Sequence, residues 1–162
     1  LDDVVEAELS SWQDDFADVA DSSWNTTLAG NKYARAYRDE WVRPATAAAA
    51  EQTPVVVYEL QIDSDALRSG APQIELKRTS DTADPERVYD ALYAESVQEE
   101  LQSLAPRHDV RIRSHSDKVH TLETHVDVDL AGGETIGGQF ATRVDELGPI
   151  NRVIDQMVAD LD

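Results

Sequence analysis

The sequence predicts an α+β domain: two N-terminal helices, then a mostly antiparallel four- or five-stranded sheet with helices packed on one face, in the order ααββαβββα. Three observations predict it. Apolar residues recur at helical spacing at both ends of the chain. They alternate with a two-residue period from Val56 to Leu76 and again from Val110 to Leu130. Between those stretches, Asp84-Pro85-Glu86 reads as a helix start. The 162 residues suit a single domain, with 1–51 as a helical N-terminal part and 52–162 as the sheet-and-helix core.

Leu1, Val5, Leu9, Trp12, Phe16 and Val19 fall on one face of the first helix, with most of its carboxylates off that face. After Ser22-Ser23 a second helix is expected from about Thr27 to Arg43, because Tyr33, Tyr37 and Trp41 stand at i, i+4 and i+8 and Pro44 can end it. Ala45 to Ala50 continues as helix or connector. In the first alternating stretch, pairing Ile62 with Ile74 sets Leu60 opposite Leu76 and Glu59 opposite Lys77, across the loop Asp63 to Pro72.

Asp84 caps a helix expected to run to about Leu104, where Ala105-Pro106 ends it. A second hairpin places Ile112 opposite His120 and Val110 opposite Leu122, with Arg111 diagonal to Glu123. A three-residue turn at Gly132-Gly133-Glu134 then pairs Leu130 with Ile136 and Val126 with Phe140, giving a fifth strand. Gly137 and Gly138 suit a close neighbour, a bulge or a strong twist. Leu147, Ile150, Val153, Ile154, Met157 and Leu161 form the closing helix, entered at Gly148-Pro149.

The charge is extreme and evenly spread. Thirty-three acidic residues face fourteen basic ones, for a formal charge of −19; Asp outnumbers Glu by 20 to 13 and Arg outnumbers Lys by 11 to 3. In composition this resembles proteins of salt-accumulating haloarchaea and their viruses. The resemblance implies a surface kept hydrated in molar salt, where a screening length of about 3 Å removes most self-repulsion. Duplex nucleic acid is excluded as a partner, because phosphate contacts need clustered Lys and Arg. Solvent cations are expected to associate weakly with the acidic surface. The absence of cysteine removes disulfides, thiolate metal sites and thiol nucleophiles. No apolar run is long enough to span a membrane. The chain opens at Leu1, as a processed or trimmed form would, and the compartment stays open between a salt-loaded cytoplasm, the cell exterior and a virion.

Few residues carry chemistry. His108, His115, His120 and His125 fall close together, but His120 and His125 point to opposite faces of a straight strand. Glu123, His125 and Asp127, joined by Asp129, share a face and could hold a hard or borderline cation, against the plainer reading of a solvated outer sheet face balanced by Arg111 and Arg113. Ser116, His120 and Asp127 have the residue types of a hydrolase triad without a nucleophile turn. Neither glycine pair continues into a phosphate or dinucleotide loop, so no cofactor is expected. Asn25-Thr26-Thr27 fits the glycosylation acceptor pattern, or simply breaks one helix and caps the next.

Tyr33, Tyr37 and Trp41, flanked by Arg35, Arg38, Lys32 and Arg43, form the one basic and aromatic concentration. They suit a protein interface or self-association, against packing of the rings into the domain's own core. The expected function is therefore non-catalytic binding or assembly in high salt, including a role as a virion structural or joining component. That last step is analogy with strand-rich small domains of tailed viruses. The alternatives are a metal-assisted hydrolase using the Glu123, His125 and Asp127 face, and an extracytoplasmic binding domain.

Overall fold

The alternation from Val56 to Leu76 builds the middle of a six-stranded antiparallel sheet. The computed structural model describes residues 2–29, 32–44, 52–79, 84–112 and 120–161. In chain order these form α1 (Asp2–Val19), β1 (Trp24–Ala29), β2 (Tyr33–Arg38), β3 (Val42–Pro44), β4 (Gln52–Pro54), β5 (Val56–Gln61), α2 (Ser64–Arg68) and β6 (Gln73–Arg78). There follow α3 (Pro85–Leu92), α4 (Glu95–Leu104), β7 (Arg111–Ile112), β8 (His120–His125), α5 (Ile136–Glu146) and α6 (Gly148–Ala159). The sheet order is β1-β2-β5-β6-β8-β7, and β3 and β4 pair separately. The fold is α+β, with helices packed on the sheet.

Parity along the strands decides which side chains join the helix-packed core, since successive residues point to opposite faces, although in central β5 both parities are buried from Val56 to Leu60. The even-numbered set, including Ala34, Ala36, Val56, Tyr58, Leu60, Ile74, Leu76 and Leu122, joins Trp12, Phe16, Leu92, Phe140, Ile150 and Ile154 from the helices in one hydrophobic cluster. Small Ala34 and Ala36 leave room for the large rings nearby. Trp41 stacks edge-on to Trp24 at 5.7 Å and tilts against Tyr58 at 5.6 Å. The Tyr58 hydroxyl donates to Asn151 Oδ1 at 2.6 Å, and burial pushes that hydroxyl's pKa far above the usual tyrosine range.

The first departure from expectation lies between Thr27 and Arg43, where a β-hairpin replaces the second helix. Helical spacing of Tyr33, Tyr37 and Trp41 competes with alternation in Tyr33-Ala34-Arg35-Ala36-Tyr37, and the tertiary gain of seating both alanines against the core decides for strand. Ala45 to Ala50 lies outside the described residues. With β1 and β2 in the sheet, the strand count is six, and 24–38 belongs with the sheet instead of a helical N-terminal part.

The second departure is at 136–146, a helix where a fifth strand was expected. Ile136, Phe140 and Val144 stand four apart and are fully buried, while Thr135 caps the helix by accepting from Gly138 N at 3.0 Å. Glu8 of α1 adds a second cap, its Oε2 accepting from Ile136 N at 2.8 Å. The two glycines weaken helix propensity but allow the close approach expected of them. A Cβ on Gly137 would stand 2.0 Å from the Trp12 carbonyl oxygen. Phe140 packs between Trp12 and Phe16 at that contact.

Smaller corrections concern register and helix ends. In β5 and β6, Leu60 faces Ile74 and Tyr58 faces Leu76, a shift of two residues from the expected register that keeps every side chain on its expected face. Ile112 faces Leu122, so Arg111 lies directly opposite Glu123. The helix expected over 85–104 breaks at Tyr93-Ala94 into α3 and α4, with Gln98 Nε2 bonded to the Leu92 carbonyl at the break. Asp84 caps α3 as expected, and α6 begins at Gly148-Pro149. Val19 is exposed, one turn beyond the buried Trp12 and Phe16 of α1.

Candidate interaction surface

The odd-numbered strand residues build the opposite face of the sheet, and the register places five charged side chains in one row across it. Arg35 of β2 lies opposite Glu59 of β5, then Glu75 of β6, Glu123 of β8 and Arg111 of β7. Three neighbouring carboxylates repel one another, so the row depends on its flanks. Arg35 Nε donates to Glu59 Oε2 at 2.9 Å, and Lys77 Nζ stands 3.6 Å from Glu59 Oε1. At the other end Gln73 Nε2 donates to Glu123 Oε2 at 2.5 Å and to Glu75 Oε1 at 3.1 Å, while Arg111 forms an ion pair with Glu123. Glu59 and Glu123 are 6% and 8% exposed, so these charges are held in fixed positions by their partners instead of waving in solvent.

Two shallow open depressions lie on this face and share Gln73 and Glu75. One, of about 310 Å³, is bounded by Tyr33, Glu59, Gln61 and Lys77. The other, of about 590 Å³, runs past Glu123, Arg111 and His125 to Asp109. Such a lining offers carboxylate and amide acceptors beside an aromatic ring, which suits cationic or hydroxyl-rich groups of a partner. Asp109, in the left-handed conformation at φ 54°, is held in place from below by Arg143. The Arg143 NH2 nitrogen donates to the His108 carbonyl at 2.5 Å and to Thr124 Oγ1 at 2.6 Å.

The five residues expected to share one aromatic and basic stripe are divided. Tyr33 and Arg35 lie on the open face, Tyr33 exposed and Arg35 against Glu59, whereas Tyr37, in the next odd position, is half-buried and packs against the hydrophobic cluster. Arg38 has the opposite parity; its Nε reaches Asp155 Oδ1 at 3.0 Å and its guanidinium lies 5.6 Å from the Trp24 ring. Trp41 is fully buried, so its ring belongs to the core. Strand parity separates what helical spacing would have gathered.

The three residues expected as cation ligands do not converge. Glu123 turns to Gln73 and Arg111, whereas His125 Nε2 stands 3.7 Å from Asp127 Oδ1 beyond the end of β8. Among the described residues no three His, Asp or Glu side chains are grouped to hold a metal ion. Asp129, next along, accepts from Gly132 N at 2.9 Å. Val126 is buried while Asp127 and Asp129 are exposed, so the expected alternation continues past the ladder, with Val126 N and Val128 N donating to the Pro72 and Gly70 carbonyls. Arg113, His115 and Ser116 lie outside the described residues. Asn25, on the same face of β1, donates its side-chain nitrogen to Asp39 Oδ1 at 2.5 Å, an interaction that glycosylation of that nitrogen would alter.

Glu75 and Gln73 were not singled out from the sequence, and Glu59 and Lys77 appeared there only as a charge pair within one hairpin. Each strand alone shows a charged odd position; only the order β2-β5-β6-β8-β7 reveals that those positions line up. Together they define an α+β protein with a helix-packed face and an opposite, ordered, charged face. No family model, curated protein or solved structure matches the chain. Among the described residues no helix is long and apolar enough to cross a membrane.

Proposed function

We propose that this chain is a non-catalytic binding or assembly protein adapted to high salt, of the type made by haloarchaea and their viruses, with its open sheet face as a contact surface. A virion structural or joining component is the most specific form of that reading. The observation that carries it is the ordered row from Arg35 to Arg111, with Tyr33 exposed beside it. Side chains held by ion pairs have little rotamer freedom left to lose when a partner covers them. The −19 charge supports the salt component, since near molar salt the repulsion it generates is screened over about 3 Å.

Hydroxyl-radical footprinting of the full chain in about 2 M KCl, alone and with host extract, tests this reading. Protection of Tyr33 on adding extract supports it. Hydrolysis of nitrophenyl esters or phosphates with added zinc or manganese, lost in Glu123→Gln, would replace it with the metal-assisted hydrolase.

A further inference from the structure

The sheet has two edges of different character. β7 is two residues long and carries Arg111, whereas β1 runs for six residues, Trp24-Asn25-Thr26-Thr27-Leu28-Ala29, with no charge and no proline. Long edges are normally guarded by charges, prolines or bulges, because their unpaired backbone groups template further pairing. Among the described residues no strand lies along the outer side of β1.

The hydrogen-bond phase shows which groups that edge offers. Asp39 N donates to the Ser23 carbonyl at 2.9 Å, and Ile62 N to the Lys32 carbonyl at 2.7 Å. In an antiparallel ladder bonded pairs recur every second residue, so the odd residues of β1 bond β2 and the even residues of β2 bond β5. The N–H and C=O of Thr26 and Leu28 therefore point out of the sheet. Leu28 is also 47% exposed, one of three large apolar residues so exposed among the described residues.

We infer that β1 is the pairing edge for a second copy of this chain, joining two sheets through an antiparallel β1 to β1 contact. A two-fold axis perpendicular to the sheet at Thr26 keeps matching faces together. It sets Thr26 against Thr26 of the second copy, and Trp24 against Leu28 of the second copy twice over. The outward-bonding residues are thus the ones brought into register, and each exposed leucine gains an aromatic cross-strand neighbour. Charge selects the place: two chains of −19 each can approach closely at an uncharged strand, and nowhere else on the sheet is one so long. The acidic helix α1 flanks this edge, Gln13 Nε2 donating to Thr26 Oγ1 at 3.2 Å. Two such helices meet across the axis, so pairing strengthens as salt screens them.

This inference rests on the assembly reading and names its partner. Sedimentation equilibrium of the full chain in about 0.1 M and 2 M KCl tests it, with Leu28→Lys and Thr26→Pro alongside. An outward N–H makes proline tolerable on an edge, and lysine at an exposed site should leave folding intact, as circular dichroism will show. The expected result is a dimer in 2 M KCl, weaker at 0.1 M, with Kd raised about tenfold or more by either variant, in keeping with losing a buried leucine contact. Should Thr26→Pro fail to fold, Leu28→Lys decides alone. A dimer that Leu28→Lys leaves intact overturns the β1 edge and leaves the assembly reading standing. A wild-type monomer at all concentrations also overturns the edge, while protection of Tyr33 by a different partner would still uphold that reading.

Discussion

Trp41 Nε1 donates to Asp155 Oδ1 at 2.7 Å, and the same carboxylate oxygen accepts from Arg38 Nε at 3.0 Å. The bond ties the short turn after the first hairpin to the last helix, 114 positions away. With no exposed surface of its own, Trp41 depends on that carboxylate for its one polar group. Asp155→Ala leaves a buried indole N–H without its acceptor and should cost about 1–3 kcal/mol in thermal or urea unfolding. Asp155→Asn keeps an acceptor and should cost less.

Gly137 and Gly148 should respond in opposite directions to alanine. At Gly137 the new Cβ meets the Trp12 carbonyl oxygen at 2.0 Å and Phe16 N at 2.8 Å, backbone atoms that can move only if α1 shifts away from α5. Gly137→Ala should destabilise by about 3 kcal/mol. Around Gly148 nothing lies within 4 Å, so alanine there should stabilise by about 0.4–1 kcal/mol through the unfolded chain. Urea midpoints of the two variants check both signs.

Asp63 caps α2, its Oδ1 accepting from Ala66 N at 2.9 Å. That bond, with one from Gln61, holds its pKa below the ordinary aspartate value of 3.8. A depressed carboxylate contributes stability that is present above the unfolded value and is lost as pH falls through the folded one. Hydrogen exchange at the Ala66 amide should therefore lose its protection, beyond the intrinsic pH trend, only below about pH 4. Asp63→Ala should remove that protection at neutral pH, at a cost of about 1 kcal/mol, while Asp63→Asn retains the cap.

The row on the open face also makes a stability prediction. Arg35→Met takes from Glu59 its 2.9 Å partner and leaves Lys77 at 3.6 Å as its remaining described cation. A buried carboxylate losing its better partner should cost about 1–3 kcal/mol, and adding Glu59→Gln should recover part of that loss in a double-mutant cycle.

What could be read from the sequence depended on whether one local pattern stood alone. At α1, α6, β5 and β6 a single period fits the apolar residues, and the expected elements are present. At Tyr33 to Trp41 two periods fit the same residues, and the choice is made by Ala34 and Ala36 packing on Tyr58 and Leu60 across β5, which no local window contains. At 136–146 the pair Gly137-Gly138 argues against helix locally, yet the α1 backbone requires glycine at Gly137. The charged row was legible only in fragments. Glu123 and Arg111 appeared as a diagonal pair and Glu59 opposite Lys77, but the two pairs join through Glu75 by pairing of β5, β6 and β8, a long-range order that alternation leaves open.

Salt dependence of folding tests the account at its centre. The −19 chain should unfold at a higher temperature in 2 M than in 0.1 M KCl, with about 1 kcal/mol or more of added stability, or roughly 3 °C for a chain of this size. Calorimetry or far-ultraviolet circular dichroism at a single protein concentration gives the midpoints. A midpoint that rises with KCl is the predicted result; one that is unchanged or falls would contradict adaptation to high salt and the function built on it.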